Sequence, residues 1–108
     1  MQKYIALFIN DIYLQEILHY TLQYNNFLTI IISSKDLKLK KKVQEFSHLI
    51  ISEDALESIN IEELISTNNN LKIMCLMPIM VEKELPHDIK IIRFPFDEKQ
   101  ILKDLSLT

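Results

Sequence analysis

Five short apolar runs recur along the chain, at residues 4–9 (YIALFI), 27–32 (FLTIII), 48–52 (HLIIS), 72–77 (KIMCLM) and 89–94 (IKIIRF). Several are apolar on consecutive rather than alternate positions, which suits strands covered on both faces, as in a parallel sheet. The segments between them carry a helical period. Leu14, Ile17, Leu18, Thr21 and Leu22 fall on one helical face, behind Asn10 or Asp11 as a cap. Ser33 with Asp36 predicts a capping-box start for a helix over KDLKLKKKVQEF, with Leu39, Val43 and Phe46 as its inner stripe. Ile61, Leu64 and Ile65 serve a third helix. The fourth connection, between Met77 and Ile89, has room for one or two helical turns bearing Met80, Val81 and Leu85 before Pro86 stops them. Alternating β and α segments of this length predict a doubly wound, three-layer α/β/α domain.

The fifth run ends in a Phe94-Pro95-Phe96 corner. Proline has no N–H to give to a sheet ladder, so Pro95 stands at the strand's end or beyond it. Asp97, with Gln100 three residues on, then reads as a helix cap, and Ile101, Leu102 and Leu105 form the apolar stripe of a last helix. The 108 residues leave room for one core, so 1–108 is read as a single domain.

Composition narrows the function classes. A hydrophobic share of 48% and a charged share of 25% are ordinary for a globular domain, and a net charge of -3 gives no overall attraction for nucleic acid or an anionic membrane. No apolar run reaches the roughly 18 residues of a membrane span, and MQKYIALFIND lacks a signal peptide's cleavage region, so a cytoplasmic location is expected. Cys75 has no partner for an internal disulfide, and its apolar setting predicts a buried, inert thiol. Glycine is absent, which excludes the phosphate-cradling loops of Walker and dinucleotide-binding motifs. Turns are instead assigned to Asn25-Asn26, Asn68-Asn69-Asn70 and Leu85-Pro86. Lys38, Lys40, Lys41 and Lys42 read as a solvated helix face, and His19, His48 and His87 lack metal-ligand spacing and are expected at the surface.

In doubly wound sheets, ligands bind at the carboxyl ends of the strands. Here those ends would bring Asn10, Asp11, Glu53 and Asp54 to one rim, facing Met77 and Phe94. With IND after the first run, HLIISE through the third and FPFDEKQIL at the fifth, the whole chain resembles the receiver domain of two-component response regulators. The resemblance implies a CheY-like sheet of order 2-1-3-4-5, with a shortened fourth helix. It places Asn10 and Asp11 where the family holds magnesium with two acids, and Glu53 at the phosphate-accepting aspartate. It places Met77 at the phosphate-binding threonine or serine, and Phe94 at the lysine before a proline whose peptide bond is usually cis, here Pro95.

The departures carry the functional reading. The acceptor is a methylene longer, one metal ligand has lost its charge, and both phosphate-sensing groups are replaced. Phosphoryl transfer depends on cations positioned around the developing charge. The reading is therefore a pseudo-receiver without metal, cofactor or catalysis, its former pocket plugged by Met77 and Phe94. It would serve bacterial signalling or gene regulation through protein contacts, including homodimerisation, on the fourth helix, fifth strand and fifth helix. Nucleic acid would be reached only through an effector domain following the chain. The rival is a phosphoryl- or magnesium-dependent switch using Asp11 and Glu53 with Asp54 beside them. A small flavodoxin-like enzyme is disfavoured, because no nucleophile stands beside a base.

Overall fold

A computed structural model of the chain describes residues 3–86, 89–94 and 97–106. Its five strands are β1 (Tyr4–Phe8), β2 (Thr29–Ile31), β3 (Phe46–Ser52), β4 (Lys72–Pro78) and β5 (Ile89–Phe94). All neighbours pair in parallel, in the order 2-1-3-4-5. Helix α1 (Ile12–Tyr24) follows β1, α2 (Lys40–Val43) follows β2, α3 (Ile61–Thr67) follows β3, and α4 (Glu98–Ser106) closes the domain.

The consecutive apolar residues of the inner strands divide by parity between two cores. Ala6, Leu49, Ile51, Cys75 and Met77 point to the face covered by Val43 of α2 and Leu64 of α3. Leu7, Ile50, Met74, Leu76 and Ile92 point to the other face, against Leu18 and Leu22 of α1 and Ile101 and Leu105 of α4. Covering both faces makes the strand signal continuous rather than alternating, as expected of a parallel sheet. Cys75 is fully buried, and desolvation pushes its thiol up to about 11, so it is an inert core residue.

With no glycine available, asparagine makes the turns. Asn26 adopts φ 68°, a left-handed conformation that asparagine tolerates better than other residues with a Cβ, and the Asn25 side chain donates to the Thr21 carbonyl at 2.8 Å. Asn60 caps α3 by accepting from the Glu63 N–H at 3.1 Å. The Asp97 carboxylate accepts from the Lys99 N–H at 3.0 Å, which caps the start of α4.

The segment expected as one helix over KDLKLKKKVQEF is broken. A 3₁₀ turn at Asp36–Lys38 and the single turn of α2 are separated by Leu39 in an extended conformation (φ -92°, ψ 103°), and Phe46 opens β3 instead of lining a helix. Leu37 and Val43 are buried, whereas Leu39 is exposed. Four lysines between 38 and 42 repel one another at helical spacing, which weakens a continuous helix here. The start signal is nonetheless real: the Asp36 carboxylate accepts from the Ser33 N–H at 2.8 Å and pairs with Lys42 at 2.8 Å. Lys42 and the Ser33 N–H together hold that carboxyl below its usual range.

The shortened fourth helix is also absent among the described residues. Residues 79–86 form a turn and an irregular strap, with Val81 and Leu85 packed on the core and Met80 exposed. The carbonyl of Pro78, which would start a helix, accepts instead from the Val81 N–H at 3.0 Å and from the Arg93 guanidinium at 3.1 Å. Arg93 also donates to the Val81 carbonyl.

His48, expected at the surface, is buried on β3 with its Nδ1 2.8 Å from the Ser47 hydroxyl. Burial, followed by the charge of Lys72 on the neighbouring strand, lowers its pKa below the ordinary 6.5. The unfolded chain therefore binds the proton first, and stability should hold above pH 6.5 and decline as pH falls below it. Urea midpoints measured across this range should show that decline, and His48→Gln should flatten it. An equal slope in the variant would assign the decline to other groups.

Candidate functional site

The carboxyl ends of β1, β3, β4 and β5 surround a cleft of about 160 Å³ lined by Asp11, Leu14, Ser52, Glu53, Asp54, Leu76, Pro78 and Phe94. Its floor is apolar and its rim acidic. Asp11 faces the cleft but is already engaged as the cap of α1, its Oδ1 accepting from the Tyr13 N–H at 3.0 Å and the Leu14 N–H at 3.2 Å. Asn10 is exposed, and its backbone N–H donates to the Ser52 hydroxyl at 3.0 Å, which ties the end of β1 to the end of β3.

Glu53 begins the 3₁₀ turn Glu53–Ser58 that follows β3. Its side chain is only 14% exposed, and its Oε1 lies 3.0 Å from the Lys83 ammonium. Glu57 adds a looser contact to the same ammonium at 3.9 Å. The hydrogen bond to Glu53 is the main influence raising the Lys83 pKa. Lys83 comes from the strap between β4 and β5, and Arg93 holds that strap through the Pro78 and Val81 carbonyls. The rim acid at 53 is thus a paired carboxylate, and a lysine from outside the expected positions supplies the countercharge.

Met77 and Phe94 do not meet. In the β4–β5 register Met77 pairs with Arg93 and Pro78 with Phe94. Adjacent strand residues point to opposite faces. Met77 is accordingly buried in the core beneath α2 and α3, while Phe94 lines the cleft on the α1–α4 side. Phe94 is half-buried, so it forms a wall of the cleft rather than one half of a sealed plug. The corner residues Pro95 and Phe96, with the cis bond expected there, lie outside the described residues, as does His87.

Lys83 is the site residue that sequence reading missed. Its signal was its place: a lone cation in VEKELP, on the connection that leaves the carboxyl edge of the sheet beside an acidic rim. The oxygen-ligand set for magnesium that the receiver resemblance implies is a poor fit here. Asn10 is neutral, Asp11 is committed to its helix, and Glu53 is already matched by an ammonium, whereas a hard divalent cation needs several anionic oxygens. Among the described residues no three histidine, cysteine or acidic side chains converge as metal ligands.

Scanned against family models and against curated proteins, the sequence matches none. The fold is shared more widely. The chain is similar to a response regulator receiver domain protein from Bacillus halodurans C-125, at a TM-score of 0.72 and 13% identity over 99% of this chain and 97% of that one. It is also similar to a response regulator receiver protein from Sinorhizobium medicae WSM419, at a TM-score of 0.76 and 16% identity over 98% of this chain and 93% of that one. The chain has the receiver fold: one five-stranded parallel sheet of order 2-1-3-4-5 between two helical layers. No helix among the described residues is long and apolar enough to cross a membrane.

Proposed function

We propose that the chain is a pseudo-receiver, a non-enzymatic interaction module of bacterial signalling or gene regulation that acts without phosphorylation. The observation that carries this reading is the Glu53–Lys83 pair. A carboxylate that must accept a phosphoryl group needs a free oxygen and a metal to draw charge from the phosphate. Here one carboxylate oxygen, Oε1, is engaged by Lys83, and with Asn10 neutral and Asp11 capping α1 through its Oδ1 the neighbouring groups make a weak site for a metal. Asn10, Met77 and Phe94, the other positions at which the family's chemistry would sit, supply a neutral amide and two apolar side chains. Protein contacts would then be made without a fourth helix, since residues 79–86 are not helical. Cytoplasmic residence and service as the N-terminal part of a transcription regulator fit the same reading.

One observation favours a second reading, a phosphoryl-dependent switch. Lys83 returns an ammonium group to the acceptor position, so a phosphoryl group on Glu53 would meet a cation. A titration separates the two. With magnesium and beryllium fluoride added to millimolar levels, amide resonances of Asp11, Glu53 and Met77 should stay in place, and calorimetry should give no magnesium dissociation constant below about 1 mM. Saturable shifts at those residues would overturn the pseudo-receiver and establish the switch.

A further inference from the structure

Helix α1 carries an apolar stripe that no other part of the described chain covers. Tyr13, Ile17, Tyr20 and Tyr24 are 78%, 54%, 68% and 89% exposed. At 3.6 residues per turn they fall within about 60° of arc, well away from Leu18 and Leu22 on the core side. Single exposed apolar residues are normal on a protein surface, but a continuous row of three tyrosines and an isoleucine marks a contact site.

We propose that this stripe is a homodimer interface, in which α1 packs antiparallel against α1 of a second copy about a two-fold axis between residues 18 and 19. The spacing of the four residues is four, three and four, the same from either end. Antiparallel pairing therefore sets Tyr13 against the partner's Tyr24 and Ile17 against the partner's Tyr20, an isologous contact of the kind a two-fold dimer requires. Charge permits it as well. Glu16 is the only Asp, Glu, Lys or Arg in α1, and in this register it faces Thr21, so the two α1 helices themselves bring no like charges together. The area is adequate. A covered tyrosine contributes about 150–250 Å², so at these exposures the stripe offers roughly 450–700 Å² per copy, and two copies span the lower end of specific interfaces, about 1,200 Å². An interface of this size makes a reversible dimer that responds to concentration. It uses a different surface from the β5–α4 edge, and it stands independently of the reading of the Glu53 cleft.

Sedimentation of the intact chain over a wide concentration range tests this. The weight-average mass should rise from 12.8 kDa toward twice that value. Tyr20→Glu should remain monomeric with an unchanged circular dichroism spectrum and melting temperature, since the residue is exposed. Cysteine trapping fixes the register, because Cys75 is buried and does not interfere. A mixture of Tyr13→Cys and Tyr24→Cys should cross-link on mild oxidation, while each variant alone should not. The proposal fails if the wild-type chain stays monomeric throughout, in which case the stripe serves a different protein's surface. It fails equally if Tyr20→Glu dimerises as the wild type does, or if the single-cysteine variants cross-link as readily as the mixture.

Discussion

Met77→Thr, which introduces the residue type that the receiver resemblance implies at this position, is expected to lower folding stability by about 3–5 kcal/mol. Met77 is 0% exposed and belongs to the core that Ala55, Cys75 and Leu64 share beneath α2 and α3. Threonine removes the thioether and terminal methyl, leaving a cavity, and brings in a hydroxyl that must find a hydrogen-bond partner or remain unsatisfied. The loss is large for a domain whose total stability is of the order of 5–15 kcal/mol, and it corresponds to a melting temperature lower by about 15–30 °C. Thermal and urea unfolding followed by circular dichroism measures it directly, the chain having no tryptophan to report. A loss below about 1 kcal/mol would mean that the site accepts a hydroxyl readily. The core around position 77 would then be tolerant of a polar, smaller side chain.

Much of the fold was legible because burial imposes a simple pattern. Strands covered on both faces have few polar interruptions, so the five runs stood out, and their order followed from the resemblance carried by their ends. The helical assignments failed where one period served two structures. Leu39, Val43 and Phe46 are spaced as a helical stripe, yet Phe46 is the first residue of β3 and Leu39 is solvent-exposed. Which of these a local pattern becomes is decided by tertiary pairing, here Tyr4 of β1 with Phe46. The candidate site was legible in its acids but not in its geometry. Asp11, Glu53 and Asp54 do share a rim with Phe94, as their positions at strand ends implied. The Met77–Phe94 contact failed on parity, because the β4–β5 register sets Phe94 beside Pro78. The Glu53–Lys83 pair depends on how the strap after β4 folds, and that path is set by Arg93, whose partners are backbone carbonyls that a sequence does not display.

Asn68→Ala should cost about 2–4 kcal/mol, although the sequence marks Asn68 only as part of a polar turn. The residue is buried, and its amide nitrogen donates to the Val43 carbonyl at 3.0 Å and the Phe46 carbonyl at 2.8 Å. Its Oδ1 accepts from the Asn70 N–H at 3.2 Å, and its own backbone N–H closes α3 on the Leu64 carbonyl. One side chain thus joins the end of α2, the start of β3 and the turn into β4. Truncation to alanine leaves two buried carbonyls without this donor, and a buried polar group left unsatisfied costs about 1–3 kcal/mol. Asn68→Asp distinguishes hydrogen bonding from packing. Aspartate preserves the volume but replaces the donor with a carboxylate facing two carbonyl oxygens, so it should destabilise at least as much as alanine at neutral pH and recover partly in acid as the carboxyl protonates. If Asn68→Asp is instead close to wild type at neutral pH, the side chain contributes by filling space, and the junction of α2 with β3 is held by Leu37, Val43 and Phe46 alone.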